Sequence, residues 1–204
     1  SDFHLAARCP SPTNLLLHPD GRTLYAARGG NFAPGESATW TAYRIGRGGL
    51  TELNSAAAGG VGPTHGMIDR RGRFLVTTNF SSNEVVAIRL GRDGRLGEIA
   101  SRIISASQPS GPPPPPGTPL PPLPAACSTL QRTADDQCRT KPHIALFSPR
   151  ENWVVVAEIA TDLISTYRFD KASGALTLHD LALGQEGGGP RHLVWSPDGR
   201  FLYS

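Results

Sequence analysis

The segment HLVWSPDGRFLYS (residues 192–204) consists of an apolar run, a polar turn and a second apolar run. The same pattern occurs three times earlier in the chain, at residues 14–27, 65–79 and 143–158. Apolar runs rich in β-branched and aromatic residues, joined by a turn such as Asp-Gly, are typical of antiparallel hairpins. Each of these segments is therefore predicted to form a β-hairpin.

A second type of unit follows each of the first three hairpins. It is a strand-like alternation followed by Gly-x-Leu, and with the residues just after this tripeptide it occupies residues 40–53, 84–99 and 163–178. A hairpin and the unit after it supply about four strands, and the pairs recur at roughly the 40–50-residue spacing of propeller blades. The sequence therefore predicts an all-β chain that forms a β-propeller, with about four blades present.

One hairpin turn departs from the repeat. Glu151 stands at the position where the other three hairpins have glycine. Glycine adopts the positive φ of tight turns without steric strain, whereas other residues rarely do. We therefore expect the turn at Glu151 to be of a different type, or longer, than the others.

A proline-rich insertion interrupts the repeat at about residues 105–140 and contains five consecutive prolines, Pro112–Pro116. Proline lacks a backbone donor and favours the polyproline II conformation, so this segment does not fit a sheet. We predict a disordered loop insertion within one propeller domain of residues 1–204. A PxxP ligand for a recognition domain is the alternative interpretation.

The composition excludes several classes of partner. With 38% apolar and 18% charged residues, the chain has the composition of a globular domain. The formal net charge is only +3 and the arginines are spread over the predicted turns, so no nucleic-acid partner is expected. The longest apolar run, WVVVAEIA (residues 153–160), is far shorter than the roughly 20 residues that span a bilayer, so no membrane partner is expected.

The cysteines give no sign of a disulfide framework or a metal site. There are three, Cys9, Cys127 and Cys138, and neither a CxxC nor an HExxH motif is present. Cys127 and Cys138 could pair with each other, but two free thiols are the interpretation that we favour. This usage fits a reducing compartment, so a cytoplasmic location is expected.

The segments before three of the hairpins carry histidine: GVGPTHG with His65, TKPHI with His143, and GGGPRHL with Arg191 and His192. Because the innermost strands of successive blades start at the same rim, we expect these side chains at one mouth of the central channel. Histidine titrates near neutral pH and arginine binds a carboxylate or phosphate with two hydrogen bonds, so the set suits a small anionic substrate. A structural hydrogen-bonding role is the alternative for each single histidine.

Two acidic residues follow the strand-like run WVVVA. Glu158 and Asp162 can add a carboxylate to the same rim, or they can serve as a turn acid and a loop cap. The glycines at 187–189 do not form a phosphate-binding motif, because no Lys-Ser/Thr follows them. We expect them to let the backbone pass close to the channel mouth.

Three segments resemble one known family: GVGPTHGMIDRRGRFLVTTNF (residues 60–80), KPHIALFSPRENWVVVAEIATDLISTYRFDKASGAL (141–176) and GGGPRHLVWSPDGRFLYS (187–204). They are similar to the seven-bladed propeller lactonases, which include cycloisomerase-type 6-phosphogluconolactonases and carboxymuconate-cyclase-like relatives. The likeness covers most of the chain outside the proline-rich insertion. Its most specific part is the run Gly-Pro-Arg-His.

The resemblance implies hydrolysis of a sugar lactone, in particular 6-phosphogluconolactone of the oxidative pentose phosphate pathway, without a metal or organic cofactor. Such a reaction needs a base to activate water, a cation for the substrate anion and donors for the oxyanion. On this resemblance His143 and Glu158 are the expected acid/base pair, and Arg191 is the expected catalytic and anion-binding cation. The further substrate-binding residues expected are His65, Asn79, Asp162 and His192.

Two other functions fit the same residues: a carboxymuconate-type lactone cyclase, and a non-catalytic propeller that serves as a binding scaffold. The sequence departs from the family pattern in two places. Many members carry two histidines around a PHxH position, whereas here Lys141 precedes Pro142 and only His143 is present, and Phe80 stands where tyrosine is usual. With 204 residues the chain has about half the length of a seven-bladed member. We therefore expect a partial propeller whose open edge is capable of self-association.

Overall fold

The computed structural model describes residues 5–29, 38–105 and 140–204, and the regular elements in these ranges are all β-strands. The strands are β1 (Pro12–Leu17), β2 (Thr23–Arg28), β3 (Thr39–Gly46), β4 (Gly49–Ala57), β5 (Pro63–Ile68), β6 (Phe74–Asn79), β7 (Glu84–Leu90), β8 (Leu96–Ile104), β9 (Pro142–Phe147), β10 (Trp153–Glu158), β11 (Leu163–Phe169), β12 (Leu176–Leu183), β13 (Val194–Trp195) and β14 (Leu202–Tyr203).

The strands pair in chain order. β1–β4, β5–β8 and β9–β12 each form a four-stranded antiparallel sheet, and β13 pairs with β14. We call these sheets blades 1, 2, 3 and 4. The first strands β1, β5 and β9 contact one another from blade to blade, as the innermost strands of a propeller do. The arrangement confirms the predicted all-β propeller, with three complete blades and one hairpin of a fourth in the described residues.

Apolar side chains fill the space between neighbouring blades. Trp40 and Leu75 lie fully buried in the cluster between blades 1 and 2, and Phe74 and Val156 in the cluster between blades 2 and 3. A third cluster packs blade 3 against the blade 4 hairpin around Leu193. Because no strand of one described sheet pairs with a strand of the next, these clusters carry most of the attachment between blades.

The turn at Glu151 does not differ from the other hairpin turns, so the expectation of another turn type is wrong. The Glu151 N–H donates to the Ser148 carbonyl at 2.8 Å, as the Gly72 N–H donates to the Asp69 carbonyl at 2.8 Å. Glu151 has a φ of 56°, close to the 65° of Gly72. Its side chain offsets part of this strain, because Oε1 accepts a 2.7 Å hydrogen bond from the Arg70 N–H of the neighbouring blade.

Several expectations concern residues outside this description. The proline-rich insertion, Cys127 and Cys138 lie outside the described ranges, whereas Cys9 lies inside them and is a free thiol. Within the same ranges no helix has the length and apolar character needed to cross a membrane.

Substitutions at Glu151 will show the backbone strain directly. Glu151→Ala and Glu151→Gly both lose the bond to Arg70, but only alanine keeps a Cβ at positive φ. We expect the glycine variant to be more stable than the alanine variant by about 1 kcal/mol in urea denaturation. At the exposed neighbour Asn152, which is not among the positive-φ residues, alanine should be the more stable of the two. The same order at both positions would contradict this account.

Candidate functional site

The inner strands of blades 1, 2 and 3 share a feature at their start. Each begins with proline, and the residue after it is an extra residue in a β-bulge: Thr13 in β1, Thr64 in β5 and His143 in β9. A bulge changes the direction in which a side chain points and is frequent next to functional sites. The bulge at His143 is therefore a local cause of its orientation.

The three histidines are not at equivalent positions, which differs from the expectation by one residue. His65 and His192 precede the turn residues Asp69 and Ser196 by four positions, whereas His143 precedes the turn by five. His143 thus corresponds to Thr64 of blade 2. In a regularly pleated strand, neighbouring side chains point to opposite faces, so this one-residue difference would turn His143 away from His65 and His192. The bulge at His143 interrupts the pleating and compensates for the difference.

The histidines nevertheless lie together. The rings of His143 and His192 pack edge to face, with centroids 5.2 Å apart at an angle of 82°. The Phe80 ring also packs edge to face with His143, with centroids 6.3 Å apart at 85°. The Nδ1 atoms of His65 and His143 are buried and have no hydrogen-bond partner among the described residues.

Burial keeps two of these imidazoles neutral. It lowers the pKa of His65 to about 4, and the neighbouring His143 and His192 act in the same direction. Burial likewise lowers the pKa of His143 to about 4; the charges of Arg191 and His192 add to the effect, and a hydrogen bond with the Arg191 backbone opposes it. At neutral pH both rings therefore retain a lone pair that can accept a proton, next to a guanidinium that stays charged.

Arg191 and His192 are exposed and follow the glycine-rich loop of residues 184–189. A cavity of about 440 Å³ opens beside them, and its lining also includes Ile164 and residues of that loop. A volume of this size can take a small molecule. The cavity and the histidine cluster share His192.

Threonine hydroxyls hold the backbone under the histidines. Thr64 Oγ1 and Thr78 Oγ1 each lie 3.0 Å from the His143 carbonyl oxygen and donate to it, and both threonines belong to blade 2. Thr77 Oγ1 donates to the His65 carbonyl at 2.9 Å. The blade 2 strand β6 therefore fixes the backbone at His65 and His143 together.

The structure does not join Glu158 to His143. Glu158 is fully buried, and its Oε1 accepts hydrogen bonds from Ser105 Oγ and, at 3.0 Å, from Ser165 Oγ. The Tyr167 hydroxyl lies 3.1 Å from Ser105 Oγ. In the described residues no side-chain hydrogen bond or ion pair connects Glu158 with His143. Glu158 instead links the end of blade 2 to blade 3.

Asn79 occupies the same place in blade 2 that Glu158 occupies in blade 3, at the end of the second strand. It is fully buried, and its Nδ2 donates to the Ala58 carbonyl at 3.0 Å. Asn79 therefore links blades 1 and 2 rather than facing the histidines. The neighbouring Phe80, which sequence reasoning recorded only as a departure from the family pattern, is the residue that contacts His143.

Asp162 does not present its carboxylate to the cavity. It is 2% exposed, and both carboxylate oxygens accept backbone N–H groups of the glycine-rich loop. Of the expected site residues, the structure brings together those at the start of inner strands, which are His65, His143, Arg191 and His192. It places Asn79 and Glu158 at polar contacts between neighbouring blades, and Asp162 at the glycine-rich loop.

Sequence comparison gives the family. Residues 1–204 match the family model described as "Lactonase, 7-bladed beta-propeller". The chain belongs to this lactonase family. It is 26% identical to the 6-phosphogluconolactonase of Bacillus subtilis (strain 168), over 100% of this chain and 50% of that one.

Solved structures share the fold of this chain. A Bacteroides uniformis protein superposes with a TM-score of 0.75 at 23% identity, over 98% of this chain and 51% of that one. The periplasmic gluconolactonase of Pseudomonas aeruginosa gives a TM-score of 0.73 at 23% identity, over 97% and 51%. The lactonase-family chain thus spans about half the length of these relatives.

No group of three or more His, Cys, Asp or Glu side chains in the described ranges is arranged to hold a metal ion. The expectation that the reaction needs neither metal nor organic cofactor stays a prediction.

The pH dependence of stability will test the state of Glu158. Burial raises the pKa of Glu158 to about 7, against the opposing hydrogen bonds from Ser105 and Ser165. A raised folded-state pKa stabilises the fold at low pH, and this contribution is lost as the pH rises through about 7. Glu158→Gln cannot ionise, so we expect it to be more stable than the parent at about pH 8, by about 1–3 kcal/mol, and similar at about pH 5.

The measurement is urea denaturation at both pH values. Glu98→Gln is the control, because the Glu98 side chain is 76% exposed. A stability difference for Glu158→Gln that does not change with pH would show that Glu158 is not held neutral.

Proposed function

We propose that the mouth formed by His65, His143, Arg191 and His192 binds a small anionic lactone and hydrolyses it, with 6-phosphogluconolactone as the substrate. The observation that carries the proposal is the packing of the His143 ring on His192, with centroids 5.2 Å apart, directly after the exposed Arg191. Burial lowers the pKa of His143 to about 4, so this imidazole is neutral at pH 7. A base with a free lone pair and a cation for the substrate anion are the two groups that this hydrolysis requires. The name of the Bacillus subtilis relative supports the substrate.

In the proposed reaction His143 accepts a proton from water while the water oxygen attacks the ring carbonyl carbon. The negative charge that develops on the carbonyl oxygen is stabilised by N–H donors of His192 and His65. The ring C–O bond then breaks, and the leaving oxygen takes the proton from His143 to become a hydroxyl. The product is an open-chain hydroxy acid, whose carboxyl group ionises at neutral pH.

Arg191 holds the phosphate of the substrate in this scheme. Its planar guanidinium can donate two parallel hydrogen bonds to a phosphate or a carboxylate, and its exposed position beside the cavity leaves room for both. With 6-phosphogluconolactone as the substrate, the proposed pathway is the oxidative pentose phosphate pathway and the proposed location is the cytoplasm. The Pseudomonas aeruginosa relative is a periplasmic gluconolactonase, so cell fractionation together with a comparison of phosphorylated and unphosphorylated lactones tests this choice.

Lactone hydrolysis by variants of the purified protein tests the proposal. His143→Ala should lower kcat about 100- to 10,000-fold, because it removes the proton acceptor. Arg191→Lys should raise KM about tenfold, because a single ammonium replaces a two-pronged donor. The release of acid, corrected for spontaneous ring opening, measures both.

Two controls make the assay specific. His179 lies on the outer strand β12, where it packs on Trp153 with ring centroids 4.4 Å apart, so His179→Ala should leave kcat unchanged. Glu158→Gln should also keep kcat within about twofold, because Glu158 is not the proton acceptor in this scheme. A loss in Glu158→Gln as large as in His143→Ala would assign the proton transfer to Glu158. No hydrolysis above the spontaneous rate would contradict the proposed function and favour a binding scaffold.

A further inference from the structure

We infer that Asp162 is a positioning residue, whose carboxylate fixes the glycine-rich loop and thereby holds Arg191 and His192 against His143. The role in catalysis rests on the proposed function, but the positioning itself does not. Nothing in the family assignment or in the names of the relatives gives Asp162 this task.

Hydrogen bonds from three loop positions converge on this one residue. The Gly187 N–H donates to Asp162 Oδ2 at 2.8 Å, and the Gly189 N–H donates to Oδ1 at 2.8 Å. The Gly184 N–H donates to the Asp162 carbonyl oxygen at 2.7 Å. A buried carboxylate bound by backbone N–H groups makes charge-assisted hydrogen bonds, which are stronger than bonds between neutral groups. Asp162 therefore holds the loop at its beginning and at its end.

The backbone conformations are those that this contact needs. Asp162 has a φ of 56°, and Gly187 and Gly189 have φ values of 72° and 53°. Positive φ at the two glycines turns their N–H groups toward the same point, as in other anion-binding loops. Asp162 itself carries a conformation that costs a non-glycine residue energy, and such residues persist where surrounding contacts hold them.

The loop leads directly to the proposed site. Only Pro190 separates Gly189 from Arg191, and on the other side of His192 the buried Leu193 anchors the chain in the core. Arg191 and His192 are themselves exposed, and their backbone is held from these two ends and by a hydrogen bond between the Arg191 backbone and His143. The Asp162 contact is the anchor on the loop side.

The same geometry argues against direct substrate binding by Asp162. Both carboxylate oxygens already accept hydrogen bonds, and the residue is 2% exposed. A carboxylate would also repel the anionic substrate proposed above. Asp162 acts through Arg191 and His192 instead.

The pKa of the His143 imidazole depends on the position of Arg191, so measuring it tests the inference without an activity assay. The titratable or charged groups around His143 are His65, His192 and Arg191, with Lys141 on the Phe80 ring. Arg191→Gln removes one of the charges that lower the pKa of His143, so NMR titration should show a raised His143 pKa. If Asp162 holds Arg191 in place, Asp162→Asn should change the His143 pKa, because it displaces both the Arg191 charge, which lowers that pKa, and the Arg191 backbone hydrogen bond, which raises it. The change should differ in the Arg191→Gln background, where the charge is already absent.

Asparagine is chosen because it tolerates positive φ but can accept only one of the two loop N–H groups on oxygen. Gly187→Ala is a second variant in case Asp162→Asn does not fold; it strains the same loop at a φ of 72°, and its Cβ meets no atom within 4 Å. It should move the His143 pKa in the same direction. Asp170→Asn is the matched control, because Asp170 accepts a backbone N–H from Ala172 in an exposed turn, and it should leave the His143 pKa unchanged.

Lactone hydrolysis adds a second readout. Asp162→Asn should lower kcat/KM about tenfold in the parent but by a smaller factor in the Arg191→Gln background, because that background has already lost the guanidinium that Asp162 positions. An unchanged His143 pKa in folded Asp162→Asn, or additive losses in the double variant, would overturn the inference. Absence of hydrolysis in the parent would refute the proposed function, while the NMR titration would still decide the role of Asp162.

Discussion

Two threonine hydroxyls of blade 2, Thr64 and Thr78, donate to the carbonyl oxygen of His143 in blade 3, each at 3.0 Å. A propeller has strand pairing within its blades but not between them, so side-chain bonds of this kind set where one blade stands relative to the next. Blades 1 and 2 have a similar joint, since Thr13 Oγ1 donates to the Pro63 carbonyl at 2.6 Å. The placement of the histidine cluster depends on the joint at His143, by which we mean the hydrogen bonds from Thr64 and Thr78 to its carbonyl oxygen.

The polar joints also explain why several acidic and amide residues lie near the site without belonging to it. Glu158 and Asn79 end the second strands of their blades and bind groups that follow the outer strand of the preceding blade, Ser105 and Ala58. Asp162 binds the loop that leads to the next blade. Among the described residues around His143 the mouth is thereby left with imidazoles, the Arg191 guanidinium and the Lys141 ammonium on the Phe80 ring, a set suited to an anion.

The fold followed from the sequence because it depends on a repeated local pattern. Alternation, turn residues and spacing predicted the strands of each blade, and the structure confirmed them. The turn prediction was wrong at Glu151, because positive φ is disfavoured for residues other than glycine. In the structure Glu151 accepts a hydrogen bond from the Arg70 N–H of the neighbouring blade, and this contact supports its positive φ. A contact across blades leaves no signal in the local sequence.

The site was only partly predictable for the same reason. The proline-flanked histidines and Arg191 are visible as a pattern, and they lie together. The bulge at His143, the burial of Glu158 and the double contact of Asp162 depend on residues far apart in sequence, such as Ser105 and Gly189. Sequence reasoning left open whether these carboxylates lie at the rim or serve as a turn acid and a loop cap, because position along a strand does not show which blade interface a side chain enters.

The most direct test of this account is kcat for lactone hydrolysis in the double variant Thr64→Val/Thr78→Val. Valine keeps the shape of threonine but cannot donate, so the His143 carbonyl loses both bonds while the blade 2 sheet remains. We predict a fall in kcat of at least about tenfold with unchanged circular dichroism, whereas Thr13→Val, at the joint between blades 1 and 2, keeps the parent kcat. A double variant that folds and retains the kcat of the parent would contradict the claim that this joint places His143 for catalysis.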